Sequence, residues 1–501
     1  MPSLPSLASA PPAEGTDRRW TALLVLCAGM LMIILDQTIV NVALPSIQDD
    51  LGFSQSSLAW VINAYLIAFG GLLLLAGRIG DLIGPKRVFM TGLAVFVAAS
   101  LLCGVAQSDA MLVGARFVQG VGGALTSAVI LGMIVTMFPE PAERAKAIGV
   151  YSFVAAAGGS LGLLLGGIIT EAISWHWIFF VNLPIGIATA VFAAKLVKGE
   201  QGIGLEEGAD SFGAVLLVGA LMLGVYTIVE AANYGWGSLH TLGLGGVSLA
   251  LLGGFVAREH TAKAPLMPLR IFRSRNVTGA NVVQALMVAG IFGMFFLGAL
   301  YLQRVLGYGA LEVGLAFLPV AGLIGLLSLG FSAKLNLRFG PRATLLPGLT
   351  LILAGLLWFS RSPVDARYLA DVFPSMVLLG LGAGLGFPSL MNLAMSGAHQ
   401  DDAGLASGLV NTTMQVGGAL GLAVIATLAT SRTDSLLSGG ESQAQALTGG
   451  FHLAFLIGAG LVAVAIGLAL AVLEPLPEQA LEPVAETGPE ALPEPAYSEA
   501  A

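Results

Sequence analysis

Charge is the scarcest feature of this sequence. Of 501 residues, 10% are charged and 56% hydrophobic, against roughly 25% charged in an ordinary soluble domain. A soluble fold of this length could not cover its surface with so little charge. Cysteine is nearly absent, and Cys27 and Cys103 both fall inside apolar runs. They read as small core residues, not as a disulfide or a metal site. The five histidines make no metal-ligand pattern, so no metal and no other cofactor is expected. No phosphate-binding loop occurs, which leaves an ATP-driven pump without support. No basic patch suggests nucleic acid. Clustered carboxylates or His ligands of the kind an enzyme needs are missing, so an enzyme is not expected. Nothing calls for an obligatory protein partner.

The sequence is built instead from long apolar stretches, each near the roughly 20 residues that carry a helix across a bilayer. Hydropathy and breakers place fourteen of them, at about 20–43, 57–77, 88–107, 110–137, 146–170, 177–196, 211–230, 239–257, 277–303, 311–333, 343–360, 370–397, 404–430 and 450–473. The first is longer than the roughly 7–15 apolar residues of a signal peptide and contains Asp36, so it reads as an uncleaved span. An even count puts both termini on one side. If that side is cytoplasmic, only Arg304, Arg361, Arg367 and Arg432 of the 22 Lys and Arg lie outside. Arg116 falls within a span and the rest lie in cytoplasmic segments, as the positive-inside rule requires. The expected location is therefore the inner or plasma membrane, crossed many times, with both termini cytoplasmic and the lipid bilayer as surroundings.

Two stretches repeat in parallel. Gly77-Arg78-Ile79-Gly80-Asp81-Leu82-Ile83-Gly84-Pro85-Lys86 after the second span matches Ala333 to Arg342 after the tenth, where Gly340-Pro341-Arg342 closes the turn. Gly158-Gly159-Ser160-Leu161-Gly162-Leu163 in the fifth span matches Gly417-Gly418-Ala419-Leu420-Gly421-Leu422 in the thirteenth. The expected fold is an all-α polytopic membrane protein, with two six-helix bundles related by an axis along the membrane normal and a central helix pair. Its parts are a cytoplasmic tail (1–19), an N-terminal bundle (20–200), two linker helices (201–258), a cytoplasmic loop (259–276), a C-terminal bundle (277–474) and a tail (475–501). From Glu474 onwards the chain carries seven Glu, six Pro and no Lys or Arg. Such a tail cannot bury a core and is predicted to be disordered.

Few polar residues lie within the spans. Asp36 is costly at the bilayer centre, at least about 2.5–3.5 kcal/mol on insertion scales, and marks a functional site by default. Gln37 and Asn41 share a helix face beside it. A purely structural hydrogen-bond cluster is the alternative. Arg116 shares a face with Gln119, Gly120, Gly123 and Ser127. Counting helical rise, Asp36 lies about 21 Å above the cytoplasmic end of its core segment and Arg116 about 9 Å below the outer edge of its own. In a core about 30 Å thick the two charges are at similar depth, although Arg116 could also snorkel to the outer surface. Near the second span, Gly77, Asp81, Gly84, Lys86 and Arg87 form a tight charged turn whose contacts can break and reform as bundles rock, or which is simply solvated. Gly158, Gly162 and Gly166 form a smooth stripe suited to close helix packing, with a hinge as the other reading. Glu230 and Glu312 read as interfacial.

These residues resemble one known family. Leu35-Asp36-Gln37-Thr38-Ile39-Val40-Asn41-Val42-Ala43-Leu44-Pro45 resembles the first-helix motif of the fourteen-helix drug:proton antiporters of the major facilitator superfamily. Gly77 to Arg87 resembles the superfamily's loop motif, and Leu112 to Gly123 its fourth-helix motif. Trp175-His176-Trp177-Ile178-Phe179-Phe180-Val181-Asn182-Leu183-Pro184-Ile185-Gly186 resembles a segment typical of that branch. The likeness runs from Trp20 to about Glu474. Leu82 and His176 stand where Arg is usual, and Leu163 replaces the proline of the fifth-helix motif. The resemblance implies multidrug efflux driven by the proton motive force, with Asp36 and Arg116, flanked by Gln37, Asn41 and Gln119, in proton coupling and substrate binding. It gives the Asp81 loop a gating role.

The function expected from these readings is proton-coupled export of a lipophilic drug or antibiotic by alternating access, with protons and a small molecule as partners. The alternatives are a proton-coupled metabolite importer of the same fold and a non-transporting membrane receptor or enzyme. For the topology, reporter fusions after Ser238 and after Ser435 should read as external. A cytoplasmic signal at Ser238 breaks the central pair.

Overall fold

The computed structural model describes residues 14–475 apart from 55–56, 198, 200–201, 203, 205–209, 263–264, 267–268 and 397–402. The acidic tail beyond 475 and most of the N-terminal tail predicted to be cytoplasmic lie outside the described residues. The chain is helical throughout, with no strand among the described residues. Among these, twelve helices are long and apolar enough to cross a membrane. The two remaining predicted spans, 146–170 and 311–333, fall on α5 (Pro141–Ala172) and on α11 (Ala310–Leu326). Within them, the described apolar helices Leu161–Ala172 and Ala310–Leu326 are shorter. Pro319 interrupts the α11 hydrogen-bond ladder, and a π-helical turn, Leu327–Phe331, breaks the helix before α12 (Ser332–Phe339).

The first bundle contains α1 (Glu14–Leu51), α2 (Trp60–Ile83), α3 (Pro85–Gly104), α4 (Asp109–Met137), α5, the single turn α6 (Trp177–Phe180) and α7 (Asn182–Leu196). The second contains α10 (Arg275–Arg304), α11, α12, α13 (Pro341–Phe359), α14 (Phe373–Ser396), α15 (Ala403–Ser438) and α16 (Gln443–Val472). Packing in the two is the same. The pairs α3–α4, α2–α4, α1–α5, α1–α7 and α3–α7 recur as α13–α14, α11–α14, α10–α15, α10–α16 and α13–α16. The bundles meet along two seams, α2 on α15 and α5 on α11, which the repeat makes equivalent.

The sequence motifs explain this repeat locally. Gly84 and Gly340 hold φ of 101° and 85°, a region closed to most L-residues. Each donates its N–H to the last turn of the preceding helix, Gly84 to Gly80 O and Gly340 to Asn336 O, and each precedes a proline at the first position of the next helix. α1 runs past its predicted end, through Pro45 to Leu51, because a helix continues after its apolar run stops. The described ends of the chain, at Glu14 and Pro475, lie on one face of the molecule, called the near face here. The far face carries the α1–α2, α5–α6, α10–α11 and α15–α16 connections.

The central pair, α8 (Ser211–Tyr234) and α9 (Leu239–Thr261), packs mainly on itself, while α8 also lies against α2 and α15. It therefore covers one of the two seams. At its near end Asp210 caps α8 through Gly213 N (3.0 Å) and takes both of its oxygens to Arg258 Nε (3.1 and 3.0 Å). The Asp210 side chain is buried and that of Arg258 half-exposed. Asp210→Ala removes cap and counter-charge together and should lower stability by about 1–2 kcal/mol, read as an earlier thermal unfolding midpoint in detergent. Unchanged unfolding would show that the clamp contributes nothing.

Candidate functional site

Asp36, Arg116, Gln119, Ser100 and Asn182 meet in the interior of the first bundle, all of them buried. They come from α1, α4, α3 and α7. The α4 sequence brings this about by setting long polar side chains among glycines. Arg116 and Gln119 turn towards α1, while glycines bring the neighbouring helices close. A Cβ on Gly120 would lie 2.5 Å from Tyr65 O of α2, and one on Gly122 2.5 Å from Phe96 N of α3. Without these approaches the polar side chains could not reach one another.

Arg116 NH1 donates to Asp36 Oδ2 at 2.5 Å and to Gln119 Oε1 at 2.7 Å. Its Nε donates to Val61 O of α2 at 2.9 Å, and its guanidinium lies 4.4 Å from the Tyr65 ring centre. The second oxygen of Asp36 accepts from Gln119 Nε2 (2.7 Å) and Asn182 Nδ2 (2.9 Å). Ser100 Oγ closes the cluster, accepting from Gln119 Nε2 at 2.8 Å and Asn182 Nδ2 at 3.4 Å and donating to Phe96 O at 2.8 Å. Cys103 Sγ lies 3.6 Å from Gln119 Oε1. The two charges share one depth and also face each other.

Gln37 and Asn41 stand apart from this cluster. With Arg116 they line a small cavity of about 20 Å³, room for about one water in this conformation, together with Ile62, Tyr65 and Leu66 of α2, Phe292 of α10 and Leu422 of α15. Asn41 Nδ2 turns back onto Gln37 O and Thr38 O, both at 3.3 Å. The cavity is thus walled by both bundles, largely apolar, and polar on its α1 side. Arg116 belongs both to its wall and to the buried cluster. The sequence reading left out Ser100 and Asn182 as site residues. A small polar side chain within an apolar helix was the available signal for each, but many such residues only bond to their own helix.

The other predicted residues lie elsewhere. Asp81 is exposed at the near end of α2, with Arg78 as its charged neighbour. Lys86 Nζ donates to Ala194 O at the end of α7 (2.9 Å), and Arg87 reaches Ile83 O only at 3.5 Å. A Cβ at Gly77 would meet nothing. Gly158, Gly162 and Gly166 seat α5 on α1, where Cβ atoms would fall 3.1 Å from Ile34 Cγ2, 3.0 Å from Leu35 O and 2.7 Å from Ile39 O. Of the three departures from the family motifs, Leu82 is buried, with its carbonyl accepting from Gly204 N. Leu163 is buried with its carbonyl 2.6 Å from a Cβ at Gly314 of α11. His176 stacks on Trp175 with ring centres 3.8 Å apart. Of the two glutamates read as interfacial, Glu312 caps α11 through Gly309 N at 2.9 Å.

The bundles are tied at the far face. Gln303 Nε2 of α10 donates to Val42 O of α1 at 2.9 Å. Arg304 reaches Pro45 O and Gln48 Oε1, each at 3.3 Å, and pairs with Asp49. Leu311 N at the start of α11 donates to Glu171 Oε2 of α5 at 3.0 Å. A Cβ on Gly167 would lie 2.6 Å from Ala310 O. Gly167→Leu should therefore wedge the far ends apart. The expected outcome is faster labelling of Asn41→Cys by a membrane-impermeant thiol reagent added on the far side. An unchanged rate means that closure does not depend on this contact.

Comparison with known proteins accords with this geometry. The sequence model of the Major Facilitator Superfamily matches residues 26–422. The puromycin resistance protein of Streptomyces alboniger is 38% identical, over 89% of this chain and 90% of its own length. The cephamycin export protein of Amycolatopsis lactamdurans is 38% identical over 83% and 86%. The multidrug resistance protein Stp of Mycobacterium tuberculosis is 32% identical over 81% and 75%. Among solved structures, a bacterial homologue of the human lysosomal transporter Spinster shares the fold with a TM-score of 0.65, 15% identity and coverage of 91% of this chain and 97% of its own.

Proposed function

This chain belongs to the Major Facilitator Superfamily, and on that premise we propose that it is a proton-coupled exporter of a lipophilic drug or antibiotic. Export of such compounds is supported by the relatives, which are named for resistance and export. The observation that carries the coupling is the buried contact of Asp36 with Arg116 beside a mostly apolar cavity between the bundles. A proton that binds Asp36 neutralises it and releases Arg116 into the cavity wall. The freed cation repels a cationic substrate or engages a polar one. Proton and substrate thereby compete for one site, and exchange follows when water access alternates. Gln37, Asn41 and the Tyr65 and Phe292 rings offer the substrate two amides within an apolar enclosure.

In the same reading, the chain crosses the membrane fourteen times with both termini in the cytoplasm. α5 and α11 count as spans, and the division is six, two and six, with boundaries near residues 20, 201, 259, 277 and 475. The near-face turn around Gly77, Asp81, Gly84, Lys86 and Arg87 acts as the gating loop on the cytoplasmic side. The far-face ties close the external side in this conformation. The stripe of Gly158, Gly162 and Gly166 acts in helix packing. Its contacts with α1 support that role over a hinge.

Asp36→Asn should abolish ethidium efflux driven by a pH gradient in vesicles and leave folded protein in the membrane, since the amide oxygen still accepts from Arg116. Arg116→Ala should do the same, and Arg116→Lys should retain partial activity. If Asp36→Asn transports at the wild-type rate and still responds to the gradient, the coupling carboxylate lies elsewhere.

A further inference from the structure

Among the residues hydrogen-bonded to Asp36, an inventory of lone pairs leaves one acceptor idle. Ionised, Asp36 receives Arg116 on one oxygen and Gln119 and Asn182 on the other. Gln119 Oε1 is taken by Arg116 and lies in reach of Cys103 Sγ. Ser100 Oγ accepts from both Gln119 and Asn182 and gives its hydrogen to Phe96 O. Asn182 Oδ1 has no hydrogen-bond partner, although the residue is fully buried. An unpaired buried carbonyl is costly, and this one belongs to a carboxamide whose nitrogen touches the carboxylate. The ionised cluster thus consists of donors facing Asp36, with one spare acceptor beside them.

Protonation reverses what Asp36 requires. A carboxylic acid carries an O–H donor, and among the residues already bonded to Asp36 no other acceptor is free; the unpartnered Tyr65 hydroxyl lies outside that set. We propose that Asn182 is the positioning residue for the protonated state: its carboxamide turns about χ2, and Oδ1 accepts from the new Asp36 O–H. Asn182 thereby holds the neutral acid away from Arg116, and the idle acceptor of the ionised state becomes the used one. This inference rests on Asp36 being the coupling carboxylate. Among the described residues, the titratable or charged groups facing Asp36 are Arg116 on α4, Tyr65 on α2 and Cys103 on α3. The group that α7 presents is neutral Asn182.

The test is infrared difference spectroscopy on the purified full-length protein, following the carboxylic acid C=O band as pH is lowered. The band of Asp36 is identified by its loss in Asp36→Asn. If that variant loses no band, Asp36 does not titrate, and both the coupling reading and this inference fall. Asn182→Leu removes one donor from the carboxylate and the acceptor from the acid together, and these act oppositely on the titration, so the readout is the position of the band. With its O–H no longer hydrogen-bonded, the acid should show its C=O band at higher frequency than in the wild type. An unchanged band position overturns the role of Asn182 and leaves the coupling reading intact. If Asn182→Leu does not assemble, Asn182→Asp carries the test. Two carboxyls in contact share one proton, so the band should persist to higher pH than in the wild type. A profile identical to the wild type overturns the inference.

Discussion

The contact between Arg116 and Asp36 organises the first bundle. Neither side chain is readily carried as an unpaired charge at that depth, and each offsets part of the other's desolvation. A buried pair is not a source of stability by itself, because desolvation offsets most of the attraction. Its force is as a constraint: removing one partner from such a pair typically costs about 3–5 kcal/mol. Every remaining polar group therefore has to be matched, and the matching draws in Gln119 from α4, Ser100 from α3, Asn182 from α7 and the Val61 carbonyl from α2. The relative placement of five helices is fixed by one ion pair and the hydrogen bonds that satisfy it.

Close packing is the condition for that network. Bilayer lipid is as apolar as the helices, so helix association rests on van der Waals contact and hydrogen bonds. Glycine supplies the contact. On α4, Gly120 and Gly122 bring α2 and α3 to within backbone distance, and Gly123 leaves room for the Tyr65 hydroxyl and the Phe69 ring. The Tyr65 ring then lies over the Arg116 guanidinium. The run Arg116-Phe117-Val118-Gln119-Gly120-Val121-Gly122-Gly123 carries both functions on one helix, with polar side chains that reach α1 and glycines packed on α2 and α3.

Most of the fold was legible in the sequence because the bilayer constrains it heavily. Span positions follow from hydropathy, and the parallel repeat from two matched motifs, and the packing pairs of the two bundles repeat accordingly. The depth of Asp36 and Arg116 was readable from helical rise, since each lies in a span with a definable edge. Their contact was not, because rise gives height and says nothing about which way a face turns. Asn182 and Ser100 escaped for a related reason. A single small polar residue in an apolar helix is common, and only the convergence of three other helices distinguishes these two. The helix count was less secure where helices are irregular. α11 carries Pro319 and runs into a π-helical turn, which shortens its continuous apolar run without altering its hydropathy.

The distribution of contacts also determines which parts of the molecule can move. Inside each bundle, helices meet backbone to backbone through glycine, α5 on α1 at Gly162 and Gly166 and α15 on α10 at Gly417 and Gly421. Such contacts cannot slide without losing packing along the whole helix. Between the bundles, glycines also bring α5 and α11 together, at Gly167 and Gly314, but the polar ties at the far face are few and lie near the surface. Asp49 is 65% exposed and Arg304 33%, and exposed pairs of this kind are worth about 0–1 kcal/mol. Glu312 already caps the start of α11, so that helix end keeps a carboxylate when Glu171 withdraws. The least costly large motion is therefore for the bundles to part at the far face as rigid bodies. The cavity walled by α1, α2 and α4 on one side and by α10 and α15 on the other lies where that separation changes access most. The central helix pair touches both bundles through α8 alone, which rests on α2 and α15, while α9 holds chiefly to α8.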